Sequence, residues 1–272
     1  MASWEFPCSG AVDVDVRVTS GSVAITAEPT DTCIVDVPGT GPAADEADAD
    51  DLARRITVSF ADGKLQVIES DQGHHWRWRG EDLHVAITVP TESRVTVRTA
   101  SADVRCDGEP GSFDAHTASG NVTVARAGGP ARLTTASGKV DIDVAGGELT
   151  ATTASGQVKV GRAERDVTAK TSSGAVMIGR AEASVSVRSA SGQVRINSVT
   201  RGLADVNTVS GDIEIKVTPG SGVYLDLASL SGRVSSDLEP TDQETDADLH
   251  VSCRTVSGTL HVATAVAGQM TS

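Results

Sequence analysis

The sequence predicts an all-β chain folded as a β-solenoid of about eleven coils. Three observations carry this prediction: a Ser-Gly pair that recurs at a fixed period, apolar residues that alternate with polar ones around it, and a scarcity of aromatic residues. Hydrophobic residues make up 39% of the 272 residues, whereas aromatic residues make up only 3%. Small and β-branched apolar side chains suit thin, regular β layers.

A Thr/Ser-x-Ser-Gly element repeats every 18 residues through the middle of the chain. Its regular Ser-Gly pairs are Ser119-Gly120, Ser137-Gly138, Ser155-Gly156, Ser173-Gly174 and Ser191-Gly192. Further pairs begin at Ser210, Ser231 and Ser257, with spacings of 19, 21 and 26 residues. We interpret each pair as a turn in which glycine supplies a positive φ without steric cost.

Apolar residues keep register on both sides of each turn. The position three residues after the Ser is Val104, Val122, Val140, Val158, Val176, Val194 and Ile213. The position four residues before it is Val97, Ala115, Leu133, Ala151, Ala169, Val187 and Val206. This alternation predicts two strands per coil with one inward face each, and it places Cys106 and Cys253 inward as small buried hydrophobes. The Thr or Ser two residues before the turn should hydrogen-bond turn amides from coil to coil.

The same repeat could also form an antiparallel meander of successive hairpins. A meander would place about twenty strands in one open sheet, and open sheets rarely exceed about ten strands. Coiling instead sets two sheets about 10 Å apart, so that their apolar ladders pack on each other. We therefore favour the solenoid, with the meander as the alternative.

The regularity of the repeat divides the chain into two regions. Residues 1–90 are expected to form an irregular N-terminal β region with an acidic loop at 41–51 and a Trp/His loop at 69–82. Residues 91–265 are expected to form the regular Ser-Gly solenoid with an acidic insertion at 237–248. Much of the net charge of −14 comes from the two acidic runs, which we interpret as solvated loops.

Several classes of function are disfavoured by composition and motifs. There is no basic footprint for nucleic acid and no apolar stretch of about 18 residues for a membrane span. The N-terminus lacks the features of a secretory signal, so we expect a cytoplasmic protein, with the cell surface by non-classical export as the alternative. The four cysteines lie far apart without CxxC spacing, which predicts reduced thiols. We find no catalytic or metal-binding motif and expect no enzyme and no cofactor.

One segment stands out as a candidate binding site. It contains Trp76 and Trp78 together with Arg77, Arg79 and His75. Trp and Arg side chains stack on sugars, bases or headgroups and are typical of interface hot spots. The alternative interpretation is that the tryptophans cap an open end of the solenoid.

The T-A-S-G-x-V-x-V repeats, which follow a short extended N-terminal region, resemble the bacterial putative-adhesin domain family of β-strand-repeat proteins, particularly actinobacterial members. The resemblance covers about residues 10–265. It implies the β-repeat fold. It implies no particular activity, and no functional residue is carried over from it.

These observations favour a non-catalytic scaffold or interaction protein with an unknown protein or glycan partner, and end-to-end self-association is an open option. The alternative is an exported surface adhesin or carbohydrate-binding module. A second alternative is a polysaccharide-active solenoid enzyme, which would need acids and bases clustered on neighbouring coils. The outward ladder of Asp141, Lys159 and Arg195 is the nearest approach to such a cluster, and we interpret its alternating charges as cross-strand pairs. We interpret the neighbouring Asp114 and His116 as a solvated surface pair.

Overall fold

A computed structural model describes residues 2–38, 55–70, 82–238 and 248–265. The chain folds as two compact units, Met1–Leu133 and Thr134–Ser272. The described residues form 25 β-strands, which confirms the all-β prediction. The boundary expected at residue 90 was inferred from the regularity of the repeat alone, and it stays a prediction.

The first unit contains eleven complete strands. They are β1 (Ala2–Pro7), β2 (Asp13–Val18), β3 (Gly21–Glu28), β4 (Thr32–Val37), β5 (Ile56–Ala61), β6 (Lys64–Glu69), β7 (Leu83–Pro90), β8 (Arg94–Thr99), β9 (Asp103–Gly108), β10 (Ser112–Thr117) and β11 (Val122–Ala127). One sheet has the order β1-β4-β7-β3-β9-β11 and the other has the order β10-β8-β2-β6-β5. Strand β12 (Ala131–Thr135) contains the boundary between the units.

The second unit contains the remaining thirteen described strands. They are β13 (Val140–Ala145), β14 (Leu149–Thr153), β15 (Val158–Ala163), β16 (Val167–Thr171), β17 (Val176–Ala181), β18 (Val185–Ser191), β19 (Val194–Val199), β20 (Gly202–Ser210), β21 (Ile213–Val217), β22 (Val223–Ser231), β23 (Val234–Ser236), β24 (Leu249–Ser257) and β25 (Leu260–Thr264). We call β13-β15-β17-β19-β21-β25-β23 sheet A and β14-β16-β18-β20-β24-β22 sheet B.

Equivalent strands of successive coils pair in parallel and in the register of the repeat. Val158 lies beside Val140 in sheet A, and Ala169 lies beside Ala151 in sheet B. Each offset is 18 residues, so one repeat makes one complete coil. This pairing confirms the β-solenoid and excludes the meander in these coils, because hairpins would pair sequential strands antiparallel.

Two coils lie out of sequence order within their units. In the first unit, β2 lies between β8 and β6, and β3 lies between β9 and β7. In the second unit, β24 and β25 lie inside β22 and β23, which therefore form the sheet edges. The repeat alone could not predict these exchanges, because a coil carries the same inward pattern wherever it stacks.

The edge strands of the two units differ. In the first unit, β1 pairs antiparallel with β4, and β5 pairs antiparallel with β6. The rings of Phe6 and Phe60, which lie on these two edge strands, stack with centroids 5.5 Å apart. In the second unit, the edge strands β22 and β23 pair in parallel with β24 and β25.

The core consists of the predicted ladders of small apolar residues. Val158, Ala169 and Ile178 are fully buried, as are Cys106 and Cys253. The inward placement of the two cysteines is therefore confirmed. Burial raises the pKa of Cys106 and of Cys253 to about 12, and nearby carboxylates add to the effect.

The inward hydroxyls close the turns of the regular coils. The amide of Gly156 donates to Thr153 Oγ1 over 2.9 Å, and the amide of Gly174 donates to Thr171 Oγ1 over the same distance. These bonds confirm that Thr side chains of the ladder satisfy turn amides, but the bonds lie within one coil and do not run from coil to coil as predicted. Two members of the ladder, Ser189 Oγ and Thr208 Oγ1, have no hydrogen-bond partner among the described residues. Each hydroxyl bonds the glycine three residues further along its own coil.

The reason predicted for the turn glycines is wrong for most of them. Among the described Ser-Gly pairs from Ser119 onward, only the pair that ends in Gly258 has a glycine with a positive φ. The requirement for glycine is instead steric, because a Cβ on Gly156 would overlap the carbonyl oxygen of Gly138 in the preceding coil. Stacking at the spacing of a β-sheet leaves no space there for a side chain.

Candidate functional site

The binding segment expected from the sequence lies outside the described residues. Trp76, Trp78, Arg77, Arg79 and His75 all fall within residues 71–81. Their role stays a prediction.

The described residues show a different candidate site at the edge of the second unit. All the exposed large hydrophobic side chains of the described chain lie on β20, β22, β23 and β24: Leu203, Val209, Tyr224, Leu230, Val234 and Val256. Leu230 is the most exposed, at 83%, followed by Tyr224 at 59% and Val209 at 56%. An apolar group concentrated in this way is characteristic of an interaction surface, whereas isolated exposed apolar residues need no explanation.

Most of these side chains belong to one surface, the outward side of sheet B on its last three strands. We call it the edge face. It comprises Leu203, Asp205, Asn207 and Val209 of β20, His250, Ser252, Arg254 and Val256 of β24, and Tyr224, Asp226, Ala228 and Leu230 of β22. Because the strands pair in parallel and in register, these residues form four rows across the three strands.

The first row of the edge face is largely apolar and contains the only tyrosine of the chain. Leu203 pairs with His250, and His250 pairs with Tyr224. The rings of Tyr224 and His250 lie with centroids 5.4 Å apart at an interplanar angle of 45°. The opposite row consists of Val209, Val256 and Leu230, each between a Thr or Ser and the Ser of its turn.

The two middle rows are polar except for Ala228, and their side chains bond one another. Arg254 Nη2 lies 3.0 Å from Asp226 Oδ2, and Asn207 Nδ2 donates to Asp205 Oδ1 over 2.8 Å. Ser252 Oγ donates to Asp226 Oδ2 over 3.5 Å. The edge face therefore consists of a hydrogen-bonded polar centre between two largely apolar outer rows.

The row of Val209, Val256 and Leu230, which we call the apolar margin, has a sequence signal that was missed. The residue between the Thr or Ser and the Ser of each turn is Ala118, Ala136, Ala154, Ser172 and Ala190 in the regular coils. It becomes Val209, Leu230 and Val256 in the later coils. β-Branched and bulky residues favour extended backbone, and β20, β22 and β24 each run for 9 residues through this position.

The charged ladder that would have suited an enzyme is neutralised pairwise. Lys159 Nζ lies 3.5 Å from Asp141 Oδ2, and Arg195 Nε lies 2.9 Å from Glu214 Oε2. Burial alone would raise the pKa of Glu214, but the hydrogen bond and charge of Arg195, with help from Lys216, outweigh burial and lower it. These contacts confirm the interpretation of the ladder as cross-strand ion pairs.

The remaining candidate groups also show no special chemistry among the described residues. His116 Nε2 lies 3.0 Å from Asp114 Oδ1, and about 40% of each side chain is exposed, as expected for a surface pair. Within the described ranges, no three His, Cys, Asp or Glu side chains are grouped as a metal site would require. No helix in the described part of the chain has the length and apolar character needed to cross a membrane.

The parallel coils closed by Ser-Gly turns define a β-solenoid repeat protein. The model of the Toastrack DUF4097 family matches residues 11–264 of the chain, which therefore belongs to this family. No curated protein matches the chain.

The chain is similar to solved bacterial structures at low sequence identity. A protein from Parabacteroides distasonis ATCC 8503 called a "putative adhesin" is 11% identical, with a TM-score of 0.51 and 96% of each chain covered. A "putative adhesin" from Bacteroides fragilis NCTC 9343 is 16% identical over 96% of this chain and 95% of that one, with a TM-score of 0.47. A "putative lipid binding protein" from Parabacteroides distasonis ATCC 8503 is 14% identical with the same coverage and a TM-score of 0.49.

Proposed function

We propose that the chain is a non-catalytic interaction protein that binds a partner protein through the edge face. The observation that carries this proposal is the confinement of exposed large apolar side chains to the last strands of the second unit. Regular coils expose small or polar residues at the same repeat positions, so the repeat does not require the apolar character.

The composition of the edge face supports a protein partner. Leu203, Val209, Val256 and Leu230 are aliphatic and can bury area against apolar side chains of another protein. Tyr224 adds a large amphipathic ring of the kind enriched at binding hot spots. The ion pair of Asp226 with Arg254 fixes the polar centre and supplies directional hydrogen bonds.

A matched pair of double variants tests the proposal. Leu230→Asp with Val256→Asp places two carboxylates in the apolar margin, and Ala154→Asp with Ser172→Asp places them at the same repeat positions in regular coils. Each variant and the wild type are used to capture cross-linked partners from an extract of the native host, identified by mass spectrometry. We expect the wild type and the regular-coil variant to retain a common partner that the edge-face variant loses. Retention of every partner by the edge-face variant would contradict the proposal.

A glycan ligand is the second candidate, and the Tyr224–His250 pair favours it. Aromatic rings pack against the apolar faces of sugars, and the neighbouring row offers Asp226 and Ser252 to sugar hydroxyls. Such binding would suit an exported surface adhesin. Binding to a glycan array that is lost in Tyr224→Ala and retained in Leu230→Asp would select this function over the protein partner.

The segment with Trp76 and Trp78 is the other place where partner binding is expected. Trp76→Ala with Trp78→Ala can be added to the same capture experiment. Loss of the partner in this variant alone would assign binding to the tryptophan segment, and loss in the edge-face variant alone would assign it to the edge face.

A further inference from the structure

We propose that Cys8 and Cys33 form a reversible disulfide that fastens the edge strand β1 to β4. The reaction partner is a small-molecule disulfide of the glutathione class. Cysteines separated by 25 positions gave no sequence signal for such a pair, and the folding of β1 onto β4 brings them together.

Backbone pairing places the two sulfurs on the same side of the sheet. Phe6 lies opposite Cys33 in the antiparallel register of β1 and β4. The amide of Cys8 donates to the carbonyl oxygen of Asp31 over 2.8 Å, so the pairing continues one residue beyond β1. Since side chains alternate along a strand, Cys8 shares the side of Phe6 and lies diagonally across from Cys33.

The sulfur atoms are already in contact. Cys33 Sγ donates a hydrogen bond to Cys8 Sγ over 3.5 Å. A disulfide requires about 2.05 Å between the two sulfurs, which side-chain rotation with a small shift of the backbone at Cys8 can supply. By contrast, Cys106 and Cys253 lie in different units and are each buried among apolar ladders.

The two thiols differ in burial, and this difference determines which of them reacts first with the small disulfide. Cys8 is half-buried and accessible, whereas Cys33 is fully buried. The thiolate of Cys8 attacks one sulfur of the small disulfide, forming a mixed disulfide and releasing one small thiolate, which takes up the proton that Cys8 lost. Cys33 then loses its proton and attacks the Cys8 sulfur, and the second small thiol leaves with that proton. One small disulfide is reduced to two thiols, and two cysteine thiols are oxidised to one disulfide.

Burial also explains why the bond should form in the folded chain only through Cys8. Desolvation, together with the contact and charge of Cys8, raises the pKa of Cys33 to about 12. A buried thiol of this kind is a poor first nucleophile, but a neighbouring mixed disulfide presents it with an electrophilic sulfur at contact distance. The bond would add a covalent link to the edge strand β1, which is otherwise held by its ladder to β4 and by the stacking of Phe6 on Phe60.

The experiment treats the full-length chain with oxidised glutathione, quenches it with acid, denatures it and counts thiols with a maleimide by intact mass. We expect the wild type to change from four labelled thiols to two, with the loss of two hydrogen masses, and proteolysis to yield a peptide that joins Cys8 to Cys33. The double variant Cys106→Ala with Cys253→Ala should form the same bond and keep no free thiol. Cys8→Ser should form none.

A second measurement reports on β1 itself. Hydrogen exchange of the β1 amides should slow on oxidation of the wild type and stay unchanged in Cys8→Ser, which keeps the buried Cys33 intact. Four labelled thiols after oxidation, or a glutathione adduct that persists on Cys8, would overturn the proposal. Equal exchange of β1 in the oxidised and reduced wild type would overturn its fastening role.

Discussion

The regular coils and the edge coils of the second unit contain the same four-residue turn and use it differently. In the regular coils, strands β14 and β16 end after 5 residues, and a Thr hydroxyl takes up the amide of the turn glycine. In the edge coils, β20 and β24 continue for 9 residues, and the amide of Gly211 donates to the carbonyl oxygen of Ser257 in the next coil. The strand β18, which carries Ala190 at the position before the turn Ser, already runs for 7 residues, and the amide of Gly192 donates to the carbonyl oxygen of Ser210. The continued strand therefore appears one coil before the Val or Leu that forms the exposed apolar margin.

The largest expected difference between the two regions concerns an inward position of the repeat. Val158 and Val234 both follow the turn Ser by three residues, but Val158 is fully buried and Val234 is 43% exposed. Val158→Asp buries an unpaired carboxylate and should lower the free energy of unfolding by about 3 kcal/mol or more. Val234→Asp keeps access to water and should cost under about 1 kcal/mol. Equal losses in urea unfolding would show that the edge coil is covered in solution.

The interior of the edge coils should nevertheless be as dry as that of the first unit, and Cys253 tests this. Its pKa is raised from 9.0 to about 12, chiefly by burial and then by Asp205 and Asp226. The unfolded chain releases this proton near its ordinary pKa and the folded chain does not. The stabilisation is therefore fully present below about pH 9 and is lost as the pH rises towards 12, at about 1.4 kcal/mol per pH unit.

The measurement is urea unfolding of the wild type and of Cys253→Ala at alkaline pH. The variant should lose less stability per pH unit than the wild type, by the amount that one thiol contributes. Slow labelling of Cys253 by a maleimide in the folded chain is the companion result. Rapid labelling without denaturant would show that water reaches the core of the edge coils.

The caps of the turns give a smaller contrast. Thr153 Oγ1 accepts a hydrogen bond from the amide of Gly156, whereas Thr208 Oγ1 has no hydrogen-bond partner among the described residues. Thr153→Val leaves a buried amide unpaired and should cost about 1–3 kcal/mol. Thr208→Val removes an unpaired hydroxyl and should be neutral or stabilising. Circular dichroism gives the melting temperature of each variant. Equal decreases in the melting temperatures of the two variants would contradict the contrast.

The sequence was sufficient for the coil and insufficient for the stacking order. Residues such as Val158 and Ala169 were assigned inward correctly. A strand with one buried face has alternating apolar and polar residues, and this pattern is visible in the sequence whichever strand lies beside it. The exchange that puts β24 between β20 and β22 left no comparable mark, because all three strands carry the same inward pattern. The exchange places β20, β24 and β22 side by side and so forms the edge face, which the sequence did not predict. Its outward residues Tyr224 and Leu230 become part of a continuous surface only through the residues of the neighbouring strands.

The smallest expected effect concerns the apolar margin itself. Leu230→Ala restores the small residue that regular coils carry at this position, as in Ala154. Because Leu230 is 83% exposed, its side chain contributes little packing, and the free energy of unfolding should change by less than about 0.5 kcal/mol. Ala154→Leu is the reciprocal variant, and it should be equally neutral, since Ala154 is exposed. A clear loss of stability in Leu230→Ala would mean that the leucine packs within the isolated chain. The exposed margin would then be a structural element of the edge coil, and the case for a partner on this face would lose its main support.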